Sequence, residues 1–304
     1  MSAGEQQVPS RPTVLKETVL KDREQGENFP VVLAVLPPRH RRALHAVYAF
    51  ARTVDDTGDD TDDDTDDDTG DRAPGDRVAR LQLLDERVSR TWAGEDVPDP
   101  VFARLRRTVP DRVPEQYFHD LVQANLQDQH VHRYPTYEAL LDYCRLSANP
   151  VGRIVLALFD QHTEPALRLS DRVCTALQLL EHWQDVGEDR RAGRVYVPTE
   201  DLVGFGVPET DLDAATASPA LARLMRFEVE RASGVLAEGT PLVRRLRGWS
   251  RLCVAGYVAG GQATVTALRR TQGEVLGHAT APSRAGTAAR LVLLLAPRRG
   301  RRLS

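Results

Sequence analysis

The sequence predicts a single all-α domain. Two observations carry that expectation: long segments place apolar residues three and four apart, and the short alternating runs between turn signals that mark strands are scarce. With 304 residues, 41% of them hydrophobic and 28% charged, the chain has enough apolar side chains for a sizeable core.

The elements follow in order. A first helix is expected over residues 12–25, within an N-terminal extension (1–26) that lacks the apolar core of a secretion signal. A second covers 39–56, where Ala43, Leu44, Val47, Phe50 and Val54 supply an apolar side. Helices over 76–93 and 114–131 come next, with breaks expected at Pro110 and Pro114. The spacing predicts one long helix over 136–160, begun after Pro135, and another over 167–190 around Val173, Ala176, Leu177, Leu180 and Trp183. Pro198 and Pro208 mark irregular chain before 218–246 and 249–272, and Pro282 closes the series.

Charge is uneven. Lys plus Arg number 40 and Asp plus Glu 44, yet eleven aspartates stand between Asp55 and Asp71 with no basic residue among them. Without those eleven the body has 40 basic against 33 acidic residues, which suits an anionic ligand met by divalent cations. Residues 60–71, built from Asp, Thr and Gly, read as a solvated acidic loop. Cys144, Cys174 and Cys253 are odd in number and form no CxxC pair, which speaks against a disulfide framework or zinc cage and for a cytosolic home. No apolar run approaches the roughly 18 residues of a spanning helix. With no GxGxxG or P-loop, nucleotide binding has no support, and no nucleic-acid partner is expected.

Two polar stripes interrupt apolar helices. Tyr48, Arg52, Asp55 and Asp59 stand at offsets 0, 4, 7 and 11, and Gln178, Glu181, Asp185 and Asp189 at offsets 0, 3, 7 and 11. At about 100° per residue each set shares one face. One Asp-x-x-x-Asp is usually a solvated face; two copies, each joined by further polar residues within an apolar helix, point to a site. If the helices face each other, four carboxylates line a cleft that wants a cation. Magnesium, held by one or two carboxylates and substrate phosphates, fits such a layout and implies a diphosphate ligand. Arg52, Arg190, Arg191 and Arg194 lie on or beside the stripes and can clamp phosphate oxygens; the last three also suit a helix C-terminus, where cations complement the dipole. Metal and arginine together would favour departure of the diphosphate and formation of a carbocation. His130 and His132 form an HxH that reads as exposed helix-end histidines, since no matched ligands stand nearby.

At these residues the chain resembles the squalene/phytoene synthase family. Tyr48-Ala49-Phe50-Ala51-Arg52 leads to Asp55 and Asp59, Gln184-Asp185 to Asp189, and Gly193-Arg194-Val195-Tyr196-Val197-Pro198 matches the motif after the second metal site. The resemblance runs from about Glu27 to Gly277; with it the chain divides into the extension, a synthase-like domain (27–278) and a basic tail (279–304). It implies the isoprenoid synthase helical fold, Mg²⁺ and head-to-head prenyl diphosphate chemistry. Glu27-Asn28-Phe29-Pro30-Val31 and the stretch from Tyr143 to Gly152 look most like the hopanoid-pathway branch, the hydroxysqualene synthases, which ionise presqualene diphosphate and capture the rearranged cation with water.

Carried over residue by residue, the resemblance assigns Asp55, Asp59, Asp185 and Asp189 to Mg²⁺, and Tyr48 and Tyr143 to the cavity. Arg52, Gln178, Glu181, Arg194 and Tyr196 fall to substrate and diphosphate. Asn149 could hold the quenching water, and Asp128 matches a further family aspartate. Glu181 stands where the family usually has Asn, Gln25-Gly26-Glu27-Asn28 replaces a basic segment of the full coupling enzymes, and no arginine follows Gly277 up to Thr280. Two alternatives follow: a synthase coupling two farnesyl diphosphates to presqualene diphosphate or squalene, and an inactive helical protein that binds prenyl diphosphate. Pathway enzymes supplying presqualene diphosphate are the implied partners. Residues 279–304, with six arginines and no acidic residue, suit either a disordered tail or a peripheral contact at the inner membrane face.

Overall fold

Periodic apolar spacing becomes helix throughout the computed structural model, which describes residues 36–59, 74–277 and 281–296; no strand forms among them. The expected helix over 12–25, the segment from Gln25 to Val31 and the acidic loop lie outside the described residues. In chain order the helices are α1 (Pro38–Asp59), α2 (Pro74–Trp92), α3 (Pro100–Thr108), α4 (Gln116–Asp128), α5 (Tyr137–Ser147), α6 (Asn149–Leu158) and α7 (Glu164–Gln184). They continue as α8 (Val186–Arg191), α9 (Thr199–Phe205), α10 (Pro219–Gly239), α11 (Leu242–Arg245), α12 (Gly248–Arg270) and α13 (Arg284–Leu295), with a 3₁₀ turn over Glu209–Asp213.

Three of the expected long helices are broken, each for a local reason. The run over 136–160 divides at Ala148, because Pro150 has no N–H to continue the ladder. The run over 218–246 divides at Thr240, ahead of Pro241. The run over 167–190 is interrupted at Asp185, whose φ of −106° and ψ of 12° end α7 and begin α8; Gly187, a poor helix former, follows. Helices α3 and α9, not expected from the sequence, are short. The first is opened by Asp99, whose side chain accepts from the backbone N–H groups of Val101 and Phe102, with Pro100 in the first turn.

The core has two parts joined by α6. One packs α1 to α4, with Phe50 meeting Phe102 and Phe118 edge to face at 5.8 and 5.3 Å. The other gathers around α7, which contacts α6, α10 and α12, and holds Trp183, Leu179, Leu180 and Met225. Helix α6 gives Ile154 to the first and Leu156 to the second. Helices α7 and α10 approach so closely that a Cβ at Gly239 would stand 2.8 Å from the backbone nitrogen of Val173.

Within the segment read from the sequence as a basic tail, Arg284–Leu295 form helix α13. Leu291, Leu294 and Leu295 of α13 pack on the second core, Arg290 donates to the Thr266 hydroxyl at 2.7 Å, and Arg251 donates to the Leu295 carbonyl at 3.1 Å. Among the described residues no helix is long and apolar enough to cross a membrane.

Candidate active site

The two polar stripes belong to helices from different parts of the core. Burial of Leu44, Val47, Phe50 and Val54 turns Tyr48, Arg52, Asp55 and Asp59 away from the first core. Helix α4 brings a third stripe to them. With Tyr117, Phe118, Leu121 and Val122 buried, its other edge carries Asn125, Asp128 and Gln129. Asn125 donates from Nδ2 to Oδ1 of Asp55 at 3.1 Å, and Gln129 donates to the Gly58 carbonyl at 3.1 Å. A Cβ at Gly58 would stand 2.5 Å from the Asn125 amide oxygen, so a larger residue there would displace the Asn125 side chain from Asp55.

Arg194, in the turn after α8, donates to Oδ1 of Asp59 at 2.7 Å and so ties the second stripe to the first. Arg52 reaches Asp56 at 2.9 Å. Arg190 is not available to a ligand in this arrangement: it is held by both oxygens of Asp213, at 2.6 and 2.8 Å, and by Glu209. Arg191 donates back to the Gly187 carbonyl. Of the arginines proposed as clamps, Arg52 and Arg194 remain with the carboxylates, while Arg190 serves a surface ion-pair network and Arg191 its own helix.

Under the carboxylates lies an aromatic layer. Tyr143 donates its hydroxyl to Oδ2 of Asp128 at 2.7 Å, leaving Oδ1 buried with no partner. Tyr134 and Tyr196 flank Tyr143, and Tyr196 stacks on His182 at 3.7 Å between centroids. Burial pushes the His182 imidazole down to about 3, so it is neutral; its Nδ1 lies 4.0 Å from Oδ2 of Asp189. Tyr143 and Tyr196 therefore sit beneath the acidic cluster rather than in an open cavity.

The carboxylates are short of positive charge. Burial pushes Asp55 up to about 6 against the pull of Asn125 and Arg52. Asp128 is also pushed up to about 6, first by burial and then by the charges of Asp59 and Asp55. Asp189 rises to about 7 through burial and the neighbouring Asp185, and Asp185 itself is raised by burial and Glu188. Among the described residues no three such groups close on one point as a ready-made metal cage. The donor set still fits magnesium: it is all oxygen, has an orphaned carboxylate oxygen on Asp128, and leaves several coordination positions to substrate phosphates and water.

Beside this cluster an apolar cleft of ≈ 170 Å³ runs between α6, α7 and α12, walled by Ala148, Val151, Leu177, Leu242, Val254 and Tyr257. Gln178 and Glu181 of the second stripe also line it, so stripe and cleft share an edge. Asn149 is buried next to this wall, but its Oδ1 accepts from the Thr175 hydroxyl at 3.0 Å and it does not line the cleft itself. His130 and His132 are exposed beyond the end of α4.

Asn125, Gln129, His182 and Tyr134 are site components missed in the sequence. The first two carry the signal used for the other stripes: Asn125, Asp128 and Gln129 stand at offsets 0, 3 and 4 on an apolar helix.

Known proteins share this arrangement of sequence and fold. Residues 22–287 match the squalene/phytoene synthase family. A hydroxysqualene synthase of Rhodopseudomonas palustris is 35% identical over 227 residues, 74% of this chain and 73% of that protein. A presqualene diphosphate synthase of the same organism is 29% identical over 222 residues, covering 72% of this chain and 75% of that one. The crystal structure of squalene synthase HpnC from Alicyclobacillus acidocaldarius superposes with a TM-score of 0.72 at 36% identity, over 84% of this chain and 93% of its own. The chain is thus a member of the squalene/phytoene synthase family.

Proposed function

We propose that the protein is a hydroxysqualene synthase of squalene and hopanoid biosynthesis, converting presqualene diphosphate and water to hydroxysqualene and diphosphate. The observation that carries this reading is the shared edge: Gln178 and Glu181 belong both to the acidic stripe and to the apolar cleft. A charged headgroup and a hydrocarbon chain can therefore be bound side by side. Identities of 35% and 36% to a hydroxysqualene synthase and to HpnC support the choice of reaction.

Asp55, Asp59, Asp185 and Asp189 would hold Mg²⁺. Bound there, the metal supplies charge neutralisation for the departing diphosphate. Arg52 and Arg194 exchange their partners Asp56 and Asp59 for phosphate oxygens. The carbon–oxygen bond breaks with its electron pair leaving on diphosphate, the cyclopropylcarbinyl cation rearranges, and a water oxygen forms the new bond and loses a proton. Tyr48, on the first stripe, is the aromatic face offered to the cation, while Tyr143 holds Asp128 from beneath. Asn149, buried behind the cleft wall with its Oδ1 engaged by the Thr175 hydroxyl, is not positioned to anchor the water in this arrangement.

The test is incubation of purified protein with presqualene diphosphate and, separately, farnesyl diphosphate, with and without Mg²⁺, followed by mass spectrometry of the lipid extract. Hydroxysqualene from presqualene diphosphate alone, and only with Mg²⁺, is expected. Products from farnesyl diphosphate would make the protein a coupling enzyme, and no product from either would make it a binding protein.

A further inference from the structure

The last 66 residues, 239–304, contain twelve arginines and one acidic residue, Glu274. Of the eight arginines described in this segment, four stand at one corner. Helix α11 ends in Arg244 and Arg245, Arg247 precedes α12, all three are exposed, and none makes an ion pair among the described residues. Trp249 follows at once and is 43% exposed. The bond from Arg251 to the Leu295 carbonyl sets the end of α13 against this first turn of α12. That end carries Val292 and Leu293, 67% and 74% exposed, although Leu291, Leu294 and Leu295 beside them pack inward. Half of the exposed large apolar side chains among the described residues thus lie at one end of the bundle, next to unpaired arginines.

We propose that this corner docks the protein on the surface of an anionic lipid bilayer. The chemistry is complementary: arginines attract acidic headgroups, an indole prefers the interfacial region, and Val292 and Leu293 gain by leaving water. The same corner walls the apolar cleft from inside. Leu242, two residues before Arg244, lines the cleft with Val254 and Tyr257. Docked this way, the enzyme places the cleft wall against lipid, the natural destination of an uncharged C30 alcohol. This role in product release rests on the proposed reaction; the docking does not.

The test is co-sedimentation of the full chain with phosphatidylcholine vesicles containing or lacking phosphatidylglycerol, with Trp fluorescence followed in parallel. Binding that requires the anionic lipid and falls with added salt is expected. Removing three arginines in R244A/R245A/R247A should weaken partitioning on the order of a hundredfold, at about fivefold per arginine. Bilayer contact should shift tryptophan emission to the blue, and Trp249→Phe should abolish that shift, because Trp183 is fully buried and Trp92 partly so. Both variants should keep wild-type turnover in detergent, so a failure of docking is separable from a failure of the proposed reaction. Equal binding to neutral vesicles, unchanged binding of the triple variant, or a blue shift that follows protein concentration without vesicles would overturn the proposal; the last would assign the patch to a second copy of the chain.

Discussion

The two aspartate stripes differ in how the protein treats them. On α1, Asp55 accepts from Asn125 and Asp59 is paired with Arg194, so the fold itself supplies partners. At the α7–α8 junction and in α8, the side chains of Asp185 and Asp189 have no hydrogen-bond donor among the described residues; the imidazole of His182 is neutral and 4.0 Å from Asp189. Burial raises Asp55 against the pull of Asn125 and Arg52, whereas Asp185 and Asp189 are raised by burial and by neighbouring carboxylates with only the charge of Arg194 drawing Asp189 back. A half-buried carboxylate without a protein donor relies on water or a cation for its charge. The α1 side is prearranged by protein groups, and on the proposed reading the α7–α8 side is left for the cation and its diphosphate.

The largest effect should come from removing that reserve. Asp185→Ala and Asp189→Ala are expected to lower turnover of presqualene diphosphate by at least about 10³-fold with unchanged helicity by circular dichroism. Asp55→Ala should do the same, but its loss should carry a smaller change in metal requirement, because Asp59 and Arg194 still order that side. Equal metal requirements in Asp55→Ala and Asp189→Ala would break the comparison.

Next in size is the donor that distinguishes the α1 side. Asn125→Ala removes the bond to Asp55 and is expected to cost about 10- to 100-fold in turnover at limiting Mg²⁺, much of it restored at saturating metal. A loss independent of Mg²⁺ would show that Asn125 acts on folding or on substrate instead.

A smaller effect concerns pH. In the unfolded chain the carboxyl of Asp189 titrates near 3.9, whereas in the folded protein it is pushed up to about 7. Between these values the folded state holds a proton that the unfolded state has released, so stability falls as pH rises from about 4 to 7. In EDTA the Tm should therefore drop more steeply between pH 5 and 8 in the wild type than in Asp189→Asn, which cannot ionise. The difference should be a few degrees, since the shift corresponds to a few kcal/mol at most. Mg²⁺ with diphosphate should raise Tm more at pH 8 than at pH 5.

The smallest effect should be at Arg190, which the sequence allowed as a phosphate clamp and the structure gives to Asp213 and Glu209. Arg190→Ala should change turnover less than about threefold, as expected for an exposed ion-pair network. A loss of two orders of magnitude would return Arg190 to the diphosphate.

How much of this was legible follows from where the forces are local. The carboxylate stripes could be read because 3.6-residue periodicity is a property of neighbouring residues, and the family motifs fix their order. The breaks at Ala148 and Thr240 were legible too, in Pro150 and Pro241, but strong apolar periodicity on both sides concealed them. The interruption at Asp185 has no comparable proline and depends on how α8 packs. Helix α13 was hidden for another reason: its arginines suggest a tail, and only contact with α12 shows that Leu291, Leu294 and Leu295 have a surface to cover. Asn125 stayed unseen because its partner Asp55 is 70 residues away, and no local pattern names the acceptor.

On the proposed reading the α7–α8 carboxylates are reserved for a divalent cation. The most direct test is electron paramagnetic resonance of Mn²⁺, standing in for Mg²⁺, titrated into wild-type protein and Asp189→Asn with inorganic diphosphate present. Wild-type protein should bind Mn²⁺ tightly, and the variant should bind it at least about tenfold more weakly. Unchanged Mn²⁺ affinity in Asp189→Asn would contradict that reading.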